Sequence, residues 1–197
     1  MRKIVWVGII LCFMAGCSPA GRIMDRQREA LAAREGEKPE DTLKETAVSI
    51  DGSLMMAVPE GWEAYEDPAP YDLRLKSLKG YTGVFVYSYS DFEEETRPEE
   101  VLDYQITELM YRRENVSVYQ EQEIKDLEYK VITQITYVGE KDSSENIYHF
   151  SLVDFEADKK FAVVIQSSLP DDFEDNREEL NAIVESAELV KEEPDTV

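Results

Sequence analysis

The side chains that could carry chemistry in this sequence are few in kind: two cysteines, one histidine and many carboxylates. His149 lies between Tyr148 and Phe150, so on a β-strand its ring points away from their face, and we expect it to be exposed to solvent. A single histidine excludes sites that need two imidazoles, such as the H-E-x-x-H zinc hydrolases. No G-x-S-x-G turn is present to hold a serine nucleophile. We therefore predict a non-enzymatic protein with no catalytic residue, no metal site and no cofactor.

Carboxylates are the most abundant titratable groups, with 43 Asp and Glu against 21 Lys and Arg. Because carboxylates are so abundant, finding two of them in the sequence is no evidence for a catalytic pair. A hydrolase that uses two carboxylates is therefore the least favoured function. The acidic segment 91–95 lacks the glycine and the alternating oxygen ligands of an EF-hand loop, and we expect a solvated loop, with a weak calcium site as the alternative. The net charge of −22 disfavours nucleic acid as a partner and repels an anionic membrane surface.

One cysteine marks the point where the N-terminal segment changes character. Arg2 and Lys3 form a positive start, residues 4–14 are uninterruptedly apolar, and Cys17 follows two small residues. An apolar run of this length is typical of an export signal and is shorter than the roughly 20 residues that span a bilayer. Cys12, inside the apolar run, has no small residues before it.

Residues 14–17, Met-Ala-Gly-Cys, resemble the lipobox of bacterial lipoproteins, with methionine where leucine is commonest. The resemblance implies that Cys17 carries a diacylglyceryl group and that the signal peptide, residues 1–16, is cleaved between Gly16 and Cys17. Two or more acyl chains hold a protein stably on a membrane. We therefore expect a lipid-anchored protein on the extracytoplasmic side of the cell membrane. An uncleaved anchor and an ordinary secretory signal are the alternatives.

Composition divides the remainder of the chain into three parts. Residues 17–45 are polar with scattered glycine and proline, and we interpret them as the lipidated cysteine and a flexible tether. Residues 46–190 carry the hydrophobic patterns of a single folded domain. Residues 191–197 form an acidic tail.

Alternating apolar residues predict strands before and after a helix. Asp51-Gly52 predicts a type I′ hairpin turn between the first two strands. Further strands are predicted over 71–78, 83–90, 116–124, 127–137, 148–152 and 161–165. The polar centre of 116–124 predicts an edge strand, the alternation of 127–137 a half-buried strand, and the apolar run 161–165 a central strand.

Two helices are predicted between and after these strands. Residues 96–99 have the pattern of a capping box with Thr96 as the cap, and the helix that follows ends before Asn115. The second helix begins after Pro170, with Asp171 as its cap. The order of elements, with hairpin-length connections, predicts an α+β domain: a mostly antiparallel sheet with two main helices packed on it.

Three features of residues 46–190 resemble the PsbP-like superfamily, which includes DcrB-like lipoproteins. The first is a hairpin that runs into Val-Pro-Glu-Gly-Trp at 58–62, and the second is a helix between two groups of strands. The third is a closing helix with Phe173, Asn176, Leu180, Ile183 and Ser186 in the family spacing. The resemblance implies a non-enzymatic scaffold or partner-binding role and supplies no site residues.

Our leading hypothesis is a membrane-anchored lipoprotein that acts as a binding or accessory module for a protein partner in the cell envelope or outside the cell. The alternative from another class is a lipoprotein that captures a small ligand or a cation in an acidic cleft. An exposed recognition patch and core packing are both compatible with the aromatic residues Trp62, Tyr81, Tyr87, Tyr89, Tyr104 and Tyr111.

Overall fold

The structure, a computed structural model, describes residues 43–65 and 70–190. The predicted lipid attachment at Cys17, the cleavage site after Gly16, the signal peptide and the acidic tail lie outside the described residues. The same holds for the segment interpreted as a tether up to residue 42. The first described strand begins at Leu43, within the last residues of that segment.

The described residues form ten β-strands and two α-helices. The strands are β1 (Leu43–Val48), β2 (Leu54–Pro59), β3 (Glu63–Ala64), β4 (Leu73–Lys76), β5 (Gly80–Ser88), β6 (Glu114–Leu127), β7 (Lys130–Lys141), β8 (Ser144–Phe155), β9 (Lys160–Ser168) and β10 (Glu188–Leu189). The helices are α1 (Pro98–Met110) and α2 (Pro170–Glu185).

Seven strands form one antiparallel sheet in the order β3-β4-β5-β9-β8-β7-β6. The central position of β9 follows from its sequence, because residues 161–165 are all apolar and all buried. β6 lies at the edge of the sheet, where its polar centre can remain in water. The predictions of a central strand and of an edge strand are confirmed.

One face of this sheet is covered by α2 and by a second, three-stranded sheet in the order β1-β2-β10. Phe173, Leu180 and Ile183 of α2 are buried in the same apolar core as Met56 of β2 and Val164 of β9. The apolar stripe of the second helix therefore faces the sheet, as its spacing requires.

The other face of the large sheet is covered in part by α1, which contacts β8. Val101, Leu102 and Met110 of this helix share a second apolar core with Phe150 and Phe161 of the sheet. The chain thus has helices on both faces of a mostly antiparallel sheet. The predicted α+β class with two packed helices is confirmed.

The turn between β1 and β2 differs from the predicted type I′ turn. That turn needs a positive φ at both central residues, but of the pair only Gly52 has one, at 74°. The carboxylate of Asp51 instead accepts hydrogen bonds from Ser49 Oγ (2.5 Å), from Ser53 N (3.0 Å) and from Ser53 Oγ (2.5 Å). These bonds close a longer loop, which explains why the predicted turn type is wrong.

Both helices start at residues other than the predicted caps. Arg97, not Thr96, is the N-cap of α1, and its backbone N–H lies 3.4 Å from the Glu100 carboxylate. Pro170 is itself the first residue of α2, so Asp171 lies inside the helix and does not cap it. Proline has the φ of a helix and lacks the N–H that a first-turn residue leaves unpaired, and this favours the observed start.

The segment 127–137, predicted as one half-buried strand, is divided by a hairpin turn. Leu127 ends β6, and β7 begins at Lys130. Gln134 and Thr136, which the alternation assigns to the solvent face, are only 3% and 1% exposed. The prediction of a half-buried strand is wrong, because the layer that contains α2 covers the face of the sheet on which Gln134 and Thr136 lie.

Candidate functional site

His149, predicted to be exposed, is buried in β8 with 6% of its surface exposed. Its ring does point away from the face of Tyr148 and Phe150. That opposite face is covered as well, since the Phe173 ring of α2 lies 5.9 Å away between ring centroids. Alternation along a strand identifies the face on which a side chain lies, but not whether another layer covers that face.

Two hydrogen bonds fix the imidazole of His149. Gln134 Nε2 lies 2.9 Å from its Nε2, and Thr136 Oγ1 lies 2.8 Å from its Nδ1. Because an amide nitrogen only donates, the ring accepts at Nε2 and carries its proton at Nδ1. Burial, with the positive charges of Arg177 and Lys125, lowers the pKa of His149 to about 4. The ring is therefore neutral at pH 7.

The imidazole belongs to a row of polar side chains that crosses the sheet beneath α2. The strand register places Gln166, His149, Thr136 and Gln120 side by side on β9, β8, β7 and β6. Gln134 Nε2 also lies within hydrogen-bond distance of Ser151 Oγ (3.1 Å) and of Asn181 Oδ1 of α2 (3.3 Å). Ser151 is fully buried. The row therefore connects the sheet to α2 through buried polar side chains.

An open cleft lies on the α1 side of the sheet, between the C-terminal end of α1 and the β7–β8 hairpin. Its volume is about 700 Å³, within the range of sites that bind small molecules or peptide side chains. The cleft is lined by Pro70, Tyr71, Gln105, Glu108, Leu109, Arg112, Arg113, Glu114, Glu140, Lys141, Asp142, Ser143 and Ile165.

Three cations line this cleft: Arg112, Arg113 and Lys141. Arg113 Nε donates to the Tyr148 hydroxyl (2.6 Å), and its guanidinium carbon lies 5.0 Å from the centre of that ring. Among residues 43–65 and 70–190, none of the three cations forms an ion pair with a carboxylate. Four carboxylates also line the cleft, which therefore offers both signs of charge to a bound group.

Tyr71 forms an aromatic wall of the cleft and lies flat on β5. A Cβ atom at Gly83 would lie 2.7 Å from the tyrosine ring, so the ring occupies space that only glycine leaves open. The ring centroid lies 4.6 Å from that of Phe85, and the Arg74 guanidinium carbon lies 5.2 Å from the tyrosine centroid. Burial raises the pKa of Tyr71, which keeps its hydroxyl protonated.

The aromatic residues considered as one recognition patch are distributed over the domain. Tyr104 and Tyr111 are 60% and 89% exposed at the outer side and end of α1. Tyr87 and Tyr89 are half-buried against the core beneath α1, whereas Trp62 is buried in the core beneath α2, where its indole N–H donates to Glu179. Core packing therefore accounts for three of the six residues in this set. Tyr81, half-buried, stands edge-on to Tyr71 at 5.9 Å between ring centroids.

The acidic segment 91–95 follows β5 and leads to α1. The Asp91 carboxylate accepts a hydrogen bond from the backbone N–H of Ser88 (2.7 Å), which closes a turn. Across the described ranges, no three His, Cys, Asp or Glu side chains are grouped so that they could hold a metal ion. In the same ranges, no helix has both the length and the apolar composition needed to cross a membrane.

The cleft is the site that sequence reasoning missed. Tyr71, Arg113 and Lys141 belong to three separate segments, and they meet because the β7–β8 hairpin extends to the end of α1. The local signal available in the sequence is the Asp142-Ser143 pair, since Asp and Ser are common in turns. In the structure these two residues form the tip of the hairpin, with positive φ values of 52° and 63°. A turn signal locates a hairpin but not the element against which it lies.

No protein-family model and no curated protein matches the chain. The chain does share its fold with solved structures of low sequence identity. CyanoP, the cyanobacterial PsbP of Synechocystis, superimposes with a TM-score of 0.57 at 12% identity, over 76% of this chain and 94% of its own. LpqN, involved in cell envelope biogenesis of Mycobacterium tuberculosis, gives a TM-score of 0.54 at 11% identity, over 70% and 83%.

The Ran-binding protein Mog1p of Saccharomyces cerevisiae has a similar fold, with a TM-score of 0.56 at 9% identity, over 76% of this chain and 97% of its own. Identities this low establish the fold and nothing about activity. The chain has a PsbP-like fold, and the resemblance inferred from the 58–62 segment and the closing helix is confirmed at this level.

Proposed function

We propose that the protein is a membrane-tethered, extracytoplasmic binding module without enzymatic activity, which presents its folded domain to a protein partner in the cell envelope. The tether is the lipid on Cys17 that the lipobox resemblance implies. The observation that carries the proposal is the cleft between α1 and the β7–β8 hairpin. It is preformed and open, and it contains three cations with no carboxylate partner in the described part of the chain.

The chemistry of the cleft suits recognition. Arg112, Arg113 and Lys141 offer N–H donors to carboxylate or carbonyl groups, and Tyr71 offers a rigid aromatic face. Arginine and tyrosine are enriched among the residues that carry most of the binding energy of protein interfaces. The carboxylates in the same lining reject a partner of uniformly negative charge. A partner is therefore selected by its pattern of charges, not by its net charge.

One structural neighbour supports an envelope setting without naming a partner. LpqN is involved in cell envelope biogenesis and shares the fold. The full sequence has a net charge of −22, and cleavage after Gly16 would remove Arg2 and Lys3 and leave −24 on the lipid-attached chain. This charge would keep the domain away from an anionic membrane surface. A domain held in this way can bind partners that lie within the reach of its tether.

Capture of a small ligand in the same cleft is the second candidate function. A volume of about 700 Å³ is sufficient for a drug-sized molecule. The wide opening of the cleft and its largely charged lining favour a protein segment over an enclosed apolar ligand.

Site-specific photocrosslinking in the protein's own cells tests the proposed function. A photoreactive residue at Glu108, which lines the cleft, is compared with one at Glu178, an exposed position on α2 on the other face of the sheet. Both changes remove one carboxylate, so the variants are matched in charge. We expect the Glu108 probe to give a discrete adduct of higher mass that the Glu178 probe does not give.

Equal adduct patterns from the two positions would contradict a role for the cleft. Loss of the adduct on the charge reversal Arg112→Glu, with unchanged thermal stability, is the expected specificity control. A stoichiometric small-molecule adduct in native mass spectrometry, in place of the protein crosslink, would replace the proposed function by the second candidate.

A further inference from the structure

β6 (Glu114–Leu127) is an unusually long edge strand. Among the described residues it pairs only with β7, so one row of its backbone N–H and C=O groups has no strand partner there. The opposite edge of the same sheet is β3, which contains only Glu63 and Ala64. An exposed backbone edge is a template for the addition of another strand.

Irregular pairing, one of the devices that protect such an edge, is confined to the first half of β6. Register shifts lie between Glu114 and Gln120 and again before Glu123, whereas pairing from Glu123 to Leu127 is uninterrupted. The strand contains no proline. Its one lysine, Lys125, is held in an ion pair with Glu185 of α2 at 2.8 Å, so its charge does not guard the edge.

Apolar side chains lie beside this regular stretch on the face of the sheet that carries α1. Ile124 is 63% exposed, Val118 is 47% exposed and Val131 of β7 is 38% exposed. The register places Ile124 opposite Thr133 and Val118 opposite Tyr137, and Tyr137 packs into the core beneath α1. Ile124 and Val131 therefore lie diagonally across β6 and β7 as neighbouring exposed apolar side chains on this face, which also carries Asp126 opposite Val131. Val118 lies on the same face beyond the register shifts.

The same edge is negatively charged. Exposed carboxylates are distributed along it at Glu114, Glu121, Glu123, Asp126 and Glu128. The nearby Lys130 directs its ammonium group at backbone carbonyl oxygens of Glu185 (2.5 Å) and Ala187 (2.6 Å), so it does not offset them. A second copy of this chain would bring carboxylates against carboxylates, which opposes self-pairing. A cationic strand is the complementary occupant.

We propose that residues Glu123–Leu127 of β6 bind an extended segment of another protein in which apolar residues alternate with lysine or arginine. The segment becomes the eighth strand of the large sheet. Its backbone pairs with β6, its apolar side chains cover Ile124 and Val131, and its cations lie on the opposite face, where Glu123 is exposed. This surface is distinct from the cleft, and the inference does not depend on the proposed role of the cleft.

The test uses the full-length protein in a neutral detergent and the capped peptide Lys-Val-Lys-Val-Lys-Val-Lys as the probe. Calorimetry measures binding, and hydrogen exchange measures protection of the backbone amides. We expect slower exchange confined to β6 and tighter binding at low salt, because the charges are solvent-exposed. A peptide of the same sequence, N-methylated at alternate residues, keeps its charge but cannot pair along one edge. It should bind at least about tenfold more weakly.

Two matched variants locate the contact. Ile124→Lys places a cation against the cationic strand and should weaken binding by about tenfold or more. Val48→Lys makes the same change at a 50% exposed position on β1, an edge of the small sheet, and should change the affinity by less than about twofold. Both positions are on the surface, so both variants should unfold at the temperature of the parent protein.

Three results would overturn the proposal. The first is equal binding of the N-methylated and unmodified peptides, which would reduce the contact to charge attraction. The second is equal weakening by Val48→Lys and Ile124→Lys. The third is a dimer in sedimentation analysis without peptide that dissociates on Ile124→Lys, which would make a second copy of the chain the occupant.

Discussion

His149 has a neutral ring inside the domain, and its protonation is linked to folding. The ring is enclosed by Gln134, Thr136 and Phe173, and its pKa is lowered from 6.5 to about 4, mainly by burial. In the unfolded chain the ring titrates at its ordinary value. Between pH 6.5 and 4 the unfolded state therefore binds more protons, and stability falls as the pH falls.

This linkage predicts a pH effect on stability that His149 carries. From pH 7 to pH 5 the free energy of unfolding should fall by roughly 2 kcal/mol through this group, at 1.36 kcal/mol for each unit of pKa shift. Urea denaturation at the two pH values measures it. His149→Gln keeps hydrogen-bonding groups without a titrating ring, and the fall should be smaller by that amount. An unchanged fall in the variant would show that other groups carry the pH dependence.

At the scale of single elements, Lys130 of β7 connects the C-terminal end of α2 to the sheet by hydrogen bonds. Its ammonium group donates to the carbonyl oxygens of Glu185 (2.5 Å) and Ala187 (2.6 Å), where the helix leaves carbonyl groups without helical partners. Burial lowers the pKa of Lys130, and Glu188 and Glu185 oppose this effect. A cation at the carboxyl end of a helix also interacts favourably with the helix dipole.

Lys130→Met should therefore destabilise the domain by about 1–3 kcal/mol, because it leaves partly buried carbonyl groups without a donor. Lys79→Met is the matched control. The ammonium group of exposed Lys79 donates a hydrogen bond to Asn176 of α2 (3.2 Å), and its loss should cost less than about 0.5 kcal/mol. Chemical denaturation of both variants measures the difference. Similar losses in the two variants would contradict the role assigned to Lys130.

The elements that sequence predicts well are those whose pattern has one interpretation. The apolar run 161–165 is short and rich in β-branched residues, which favours a buried strand over a helix, and the stripe that includes Phe173 and Leu180 fits one face of a helix. β3 and β10 have two residues each, and no local pattern can indicate them. Their pairing depends on the strands beside them.

At the scale of the whole molecule, the α+β class and the PsbP-like fold follow from the order and type of elements, whereas the site does not. The cleft brings Tyr71 near Arg112 and Lys141 from segments far apart in the chain. The burial of His149 likewise depends on α2, which follows it in sequence. Such features arise from tertiary contacts, and hydrophobic periodicity carries no information about them.

We propose that a lipid on Cys17 holds this acidic domain outside the cytoplasm, where the domain binds its partner. The most direct measurement is the intact mass of the protein extracted from the membranes of its own cells, together with a peptide map of its N-terminus. We predict a chain that begins at Cys17 and carries a diacylglyceryl group, and a Cys17→Ala variant that is absent from the membrane fraction as a mature lipidated form. A native chain that retains residues 1–16, or one that has a free thiol at Cys17, would contradict the account.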